Sequence, residues 1–279
     1  MKTISSNTRA TIKAYLEVFI ENVVKDYKGR TIPTLGAPSD YLAKKSPKGQ
    51  LKPFHAAIIP EQLMRINEFE RGFSTGLGTT FEECARLIAL THHKEARRAY
   101  VLTQEVSLAA INEIEHQVAL FEHAAQAKRP RPSFDEMVQK VLRARRKDDL
   151  EERTVQADLH ILTNEDRRLF FEIKSPMPNK GQCLEVTQRL LRFHLVCGKP
   201  RPSVSAYFAM GYNPYGGDRA DYRWSFGINY TSFTDSVLIG QEFWQLVGGP
   251  TAYEELLEIY QEVGREKAKY MIDALAFGF

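Results

Sequence analysis

Asp158, Glu172 and Lys174 have the types and spacing to hold a cation and act on a water molecule. Val155, Ala157, Leu159 and Ile161 alternate with polar residues, which reads as a strand. Leu169 to Lys174 reads as a second strand, and Thr163 to Arg167 between them is turn-like. Side chains alternate across a strand, so Glu172 and Lys174 share a face. In a hairpin centred on Glu165, Asp158 sits directly across from Glu172, with Cβ atoms roughly 5 Å apart. Two carboxylates that close repel unless a cation lies between them. A hard divalent ion such as Mg²⁺, with oxygen ligands near ~2.1 Å, fits the gap. Lys174 would point at the same spot and orient or help deprotonate a metal-bound water. A one-residue slip in register would destroy the arrangement.

The acid-x-Lys pattern alone is cheap. Asp26-Tyr27-Lys28 also matches, but it ends an amphipathic helix with no partner acid on a neighbouring strand, and reads as helix-end charge. For the second copy the plain alternative is a surface hairpin with a Lys–Glu salt bridge. That accounts less well for an acid opposite the first and an Arg-bearing helix after it.

Asp158 with Glu172-Ile173-Lys174 resembles the catalytic signature of the PD-(D/E)XK nuclease superfamily, Ala157 standing where its proline would be. Longer stretches are similar to the TdeIII-type family of type II restriction endonucleases: Phe73 to Glu82, Phe171 to Cys183, Ala206 to Tyr215 and Tyr253 to Lys267. The resemblance runs from roughly residue 60 to the C-terminus. It implies a Mg²⁺-dependent enzyme that cuts both strands of double-stranded DNA at a short palindrome, GGNCC-like. It implies Asp158 and Glu172 as metal ligands, the Ile173 carbonyl as a third, and Lys174 acting on the water. A homodimer would place one active site on each strand, and a cognate DNA methyltransferase would protect the host.

Glu82 and Glu83 follow the Gly/Ser/Thr stretch 72–80. Thr80-x-x-Glu83 forms a capping box there, so Glu83 has a structural task. Glu82 is the candidate for the additional acid that superfamily members bring from a helix, or an acid that favours the helix dipole in the first turn. Asn179, Lys180 and Gln182, just past the catalytic strand, are candidate phosphate contacts, or a polar turn with a helix cap. Gln188, Arg189 and Arg192 lie on the polar side of the next helix, where Arg would give salt-sensitive backbone affinity. Asn213, Tyr215, Asp218, Arg219 and Arg223 lie in a loop from which bases could be read, and Arg71 with Phe73–Gly76 is a second candidate. His92, His93, His116 and His123 lack zinc-site spacing, as do Cys183, Cys197 and His194; these histidines read as structural.

The elements that must position these residues divide near residue 154. Before it, helices are expected over 8–27, 61–70, 81–93, 103–126 and 134–147, with an irregular connection over 28–60. After the hairpin come a helix over 182–196, strands over 204–210 and 224–230, and helices over 240–247 and 251–274. This is an α/β chain with a restriction-endonuclease-like core: a small mixed sheet flanked by helices and a mostly helical N-terminal half. Residues 1–279 read as one nuclease domain, 1–150 mainly helical and 151–279 carrying the catalytic hairpin and the DNA contacts.

Composition agrees with such a core. The 279 residues are 43% hydrophobic and 26% charged, which excludes wholesale disorder. No apolar run approaches the ~18 residues of a membrane span. The start has no apolar signal region, and three cysteines make no disulfide framework, so a prokaryotic cytoplasm is the expected compartment. Net charge is +3, but residues 167–201 hold eight Lys/Arg against two acids, and 235–273 three against eight. A basic middle suits a polyanion. Two rivals remain open at this point: a structure-selective nuclease (junction resolvase or repair enzyme), and a DNA-binding module without catalysis.

Overall fold

The computed structural model describes residues 2–28, 45 and 51–277. The connection expected over 28–60 lies mostly outside them. The elements are α1 (Ser6–Lys28), α2 (Pro53–Ile58), α3 (Glu61–Ala89), β1 (Glu95–Ser107), α4 (Leu108–Gln126), α5 (Phe134–Arg143), β2 (Leu150–Leu162), β3 (Arg168–Lys174), α6 (Lys180–Cys197), β4 (Val204–Met210), α7 (Ser225–Tyr230), α8 (Phe233–Ser236), β5 (Val237–Ile239), α9 (Gln241–Gly248) and α10 (Ala252–Phe277). The architecture is α/β, as expected of a restriction-endonuclease-like core. One five-stranded sheet has the order β1-β2-β3-β4-β5. The first two pairings are antiparallel and the last two parallel. A parallel neighbour needs a crossover, and α6 is the one between β3 and β4.

The chain gathers into two compact units, Met1–Thr11 with Phe81–Leu257, and Ile12–Thr80 with Glu258–Phe279. The second is helical in its described residues. There the Phe73 ring lies 5.5 Å from Phe19 and 6.2 Å from Phe69, and Lys13 joins Glu262 and Glu266. The first unit holds the sheet. Its core stacks Phe170 of β3 on Phe193 of α6, ring centres 4.7 Å apart, both fully buried. Truncating such a ring costs about 3–5 kcal/mol, so Phe170→Ala would loosen the contact that seats α6 on the sheet.

Three expectations are corrected. The stretch 72–80 is not a break, because α3 runs through it. Its hydroxyls bond back within the helix, Thr75 to the Arg71 carbonyl and Thr80 to that of Leu77. Gly76 leaves room for the Phe19 ring, from which a Cβ would stand 2.7 Å, so a side chain there would push the ring aside. Residues 95–107 form a long strand, and α4 begins only after it. Ser107 caps α4 by accepting the Ala110 N–H, so the apolar stripe from Val106 onward straddles a strand end and a helix start. Finally, 225–230 is a helix. The sheet position beside β4 is filled by β5, and Gly227 packs so tightly on the Tyr222 hydroxyl that a Cβ would stand 2.5 Å from it.

Candidate active site

The hairpin keeps the register centred on Glu165. Leu159 pairs with Phe171 and Leu162 with Arg168, and the Thr163 N–H donates to the Arg167 carbonyl at 2.9 Å. The pairs end at Leu159 and Phe171, one step before Asp158 and Glu172. There the Asp158 side chain takes over, Oδ2 accepting the Ile173 N–H at 2.8 Å. In a strand the N–H and C=O of one residue point to the same edge, so the Ile173 carbonyl also faces Asp158. The five residues Leu169 to Ile173 are all buried, because both faces of the sheet are covered at β3. Glu172 is among them, and its carboxylate has no exposed surface.

Two cations hold that carboxylate. Lys174 Nζ is 2.6 Å from Glu172 Oε1 and 3.4 Å from Asp158 Oδ2. Arg189, reaching in from α6, donates from Nη1 to the same Oε1 at 2.6 Å. Its other terminal nitrogen donates to Glu185 Oε1 at 2.8 Å. Glu172 Oε2 is buried and has no hydrogen-bond partner. Burial pushes the Glu172 carboxyl above the usual carboxylate range, and Asp158 adds to this against the pull of Lys174 and Arg189. Burial works against the charge on Lys174 too, but Glu172 and Asp158 outweigh it and hold the ammonium above its ordinary value. Lys174 is therefore a firm cation here, able to orient a water or a phosphate oxygen and poorly suited to remove a proton. An orphaned buried carboxylate oxygen beside a second carboxylate and a backbone carbonyl is a donor set for a hard cation. Among the described residues, no three His, Cys, Asp or Glu side chains gather to hold a metal.

Glu82 sits mid-helix in α3, so the capping box assigned to Thr80 and Glu83 does not form. Glu82 Oε2 accepts from both Nε and Nη2 of Arg98, at 3.2 and 2.9 Å. Burial raises its carboxyl and Asp158 adds to this, while Arg98 and Lys174 oppose them. The Asp158 and Lys174 charges are thus felt at Glu82, though Arg98 holds it. Glu83 pairs with Arg86 and Arg98, which keep its carboxyl low despite burial. Arg98 has no local signal in the sequence, because only the pairing of β1 with β2 brings it into place beside Glu82. Its neighbour Ala99 has φ of 46° and lies between the pairs Arg98–Leu159 and Tyr100–Ala157, across from Asp158. A non-glycine residue there carries of order 1–3 kcal/mol of strain.

The residues expected to meet DNA fall into two groups. Several have structural partners. Asn179 and Gln182 cap α6 reciprocally, each side chain accepting the other's backbone N–H at 2.9 Å. Lys180 pairs with Glu122. Asn213 donates to the Asp218 carbonyl and accepts the Tyr215 N–H, fixing its own loop. The Tyr215 ring meets Tyr222 edge-on. Arg219 is bound to Glu242 and to the Phe233 and Val237 carbonyls. Arg189, expected to face phosphates, is on Glu172 instead. Arg192 and Arg223 are exposed, and Gln188 is half-buried. Three of the histidines have structural bonds: His92 donates to the Thr3 carbonyl, His93 to that of Val247 and His194 to that of Lys199.

Known proteins share this chain almost end to end. Residues 4–264 match the family described as type II restriction endonuclease, HinfI. The type II restriction enzyme HgiEI of Herpetosiphon aurantiacus is 46% identical over 261 residues, 94% of each chain. HgiCII of the same organism is 46% identical over 266 residues, 95% of this chain and 97% of that one. The type II restriction enzyme MjaII of Methanocaldococcus jannaschii is 21% identical, over 91% of this chain and 73% of its own. The resemblance drawn from the motifs named a TdeIII-type enzyme, and the family that matches carries the HinfI description. With an acid–acid–lysine site on the hairpin of a mixed sheet, and near-complete matches to named restriction enzymes, the chain belongs to the HinfI family of type II restriction endonucleases, which are site-specific deoxyribonucleases.

Proposed function

We propose that the enzyme makes Mg²⁺-dependent double-strand cuts at a short palindrome, GGNCC-like by its resemblance, acting as a homodimer with one site per strand. The observation that carries the catalytic assignment is the buried, unpartnered Oε2 of Glu172 beside the Asp158 carboxylate and the Lys174 ammonium. Asp158, Glu172 and the Ile173 carbonyl would hold Mg²⁺, which when bound supplies Lewis-acid polarisation of the phosphate and a more acidic water. Lys174 orients the attacking water and offsets charge growing on the phosphate. Attack is in line on phosphorus, the P–O3′ bond breaks, and 5′-phosphate and 3′-hydroxyl ends result. Glu82 supports the site as an additional acid once Arg98 releases it. Gln188, Arg192 and Arg223 are the DNA contacts that need no internal bond to break. For Asn179, Lys180, Gln182, Asn213 and Tyr215, contact with DNA would compete with the partners described above. The whole chain 1–279 acts as one nuclease in the cytoplasm, beside a cognate methyltransferase that protects the host sites.

The test is digestion of mixed plasmid DNA with Mg²⁺ and sequencing of the ends. Discrete fragments sharing one short palindrome are expected. Cuts confined to branched DNA would point to a structure-selective nuclease, and binding without cutting to a non-catalytic module; either result overturns the proposal.

A further inference from the structure

Arg189 was expected to face the phosphate backbone, yet its guanidinium lies on the buried carboxylate of Glu172. It spans two acids with its two terminal nitrogens, Nη1 on Glu172 Oε1 at 2.6 Å and Nη2 on Glu185 Oε1 at 2.8 Å. Glu185 is one turn away on the same helix, so it braces the guanidinium from outside. α6 is itself fixed, since Val186, Leu190, Leu191 and Phe193 are buried around Arg189. Lys174 also chooses Oε1. Both cations thus hold one oxygen of Glu172, and the other oxygen, Oε2, is buried with no hydrogen bond. A buried charged oxygen without a partner is costly. One held so by two cations on its twin points to a ligand that the free side chain does not show.

We infer that Arg189 is a positioning residue of the nuclease site: it clamps Glu172 by Oε1 so that Oε2 is the oxygen offered to a divalent cation. This rests on the reading of Glu172 as a metal ligand. The geometry separates Arg189 from Arg192, three residues on, which is exposed. Carboxylates that bind metals are held in place by hydrogen bonds from outside the ligand set, and losing such a partner typically weakens metal binding ~10–100-fold. The planar fork of Arg sets its donors at a fixed spacing and angle across the two carboxylates, an orientation that the point charge of a Lys ammonium does not impose.

The experiment titrates Ca²⁺ alone into the full-length, metal-free protein by calorimetry and follows the melting temperature over the same concentrations. Arg189→Ala and Arg189→Lys are each expected to raise the Ca²⁺ midpoint ~10–100-fold. Glu185→Gln removes only the exposed brace and is expected to give a smaller rise, which keeps the test alive should the Arg189 variants fold poorly. Binding of random duplex without metal, and its salt slope, should stay as in the wild type. A Ca²⁺ midpoint unchanged or lowered in Arg189→Ala overturns the inference, since Arg189 would then be no more than a counter-ion. So does a salt slope reduced by about one, which would make it a phosphate contact. Glu172→Gln separates the underlying reading: if it binds Ca²⁺ like the wild type, Glu172 is not a ligand. If it loses Ca²⁺ while Arg189→Ala does not, only the role of Arg189 fails.

Discussion

Asp158 has two tasks that a pair of substitutions can separate. It is proposed to hold the cation, and it accepts the Ile173 N–H at 2.8 Å where the strand pairing stops. Ile173 is 7% exposed, so water cannot replace that acceptor freely. Asp158→Ala leaves the donor unsatisfied, which costs about 1–3 kcal/mol. Asp158→Asn keeps a carbonyl oxygen in place and removes only the charge, so its cost should stay below about 1 kcal/mol. At roughly 2–4 °C per kcal/mol for a chain of this order of size, Asp158→Ala should melt about 2–12 °C below the wild type in EDTA, with Asp158→Asn close to it. Both should cut plasmid no faster than buffer. The assay is thermal melting without divalent ion, paired with Mg²⁺-started digestion. Equal melting of the two variants would refute the structural task, and cutting by Asp158→Asn would refute the catalytic one.

Lys174→Ala should lower the cleavage rate by ~10²–10³, as for loss of one preorganised electrostatic donor, while leaving DNA affinity, measured with Ca²⁺ in place of Mg²⁺, within a few-fold. Loss of affinity equal to the loss of rate would make Lys174 a binding residue. Arg192→Ala should weaken specific and random duplex alike and lower the salt slope of log K by about one; an unchanged slope would take Arg192 off the DNA face. Acid should unfold the protein early, because burial pulls His160 and His194 down to about 4. The unfolded chain then binds protons that the folded one refuses, so stability held above pH ~6.5 is lost as pH falls towards ~4, by up to about 3 kcal/mol for each histidine. His160→Phe should flatten the fall in melting temperature between about pH 7 and 5, and an unaltered slope would remove His160 from that account.

The hairpin of β2 and β3 is legible in the sequence because its information is local. Alternating side chains, a turn at Thr163–Arg167 and a period of two fix which residues face each other, and the register follows from the turn. What failed depends on distant partners. β1 carries a pattern weak enough to be overwritten by the helical stripe that begins at Val106, and only its pairing with β2 makes it a strand. Residues 225–230 alternate apolar and polar, yet the place beside β4 is taken by Val237–Ile239, which nothing near them in sequence announces. Gly72 to Thr80 reads as a break by composition, but the helix continues because its hydroxyls bond inside it and Phe19 needs the space at Gly76. The same distinction runs through the site. Glu172 and Lys174 could be paired by counting, whereas Arg189 and Arg98 meet their acids through the packing of α6 and the pairing of β1.

That difference changes the electrostatic argument itself. Counting along the strands brings two acids face to face, which would make the metal-free site self-repelling and would let the loss of Asp158's charge stabilise it. The folded site instead balances two acids, Asp158 and Glu172, with two cations, Lys174 and Arg189. A chain that supplies its own counter-ions has little repulsion left for a divalent ion to relieve. Any stabilisation by Mg²⁺ or Ca²⁺ must then come from occupancy, growing as the logarithm of concentration above the dissociation constant, and Asp158→Asn has nothing to imitate. The one unmet demand is local, at Glu172 Oε2. Arg189 stays on Oε1, so an entering cation would meet the Lys174 ammonium, which both acids share, at that buried oxygen and its neighbour Asp158. Competition from Lys174 would keep metal affinity modest in the free enzyme, and a DNA phosphate that drew Lys174 towards itself would ease it.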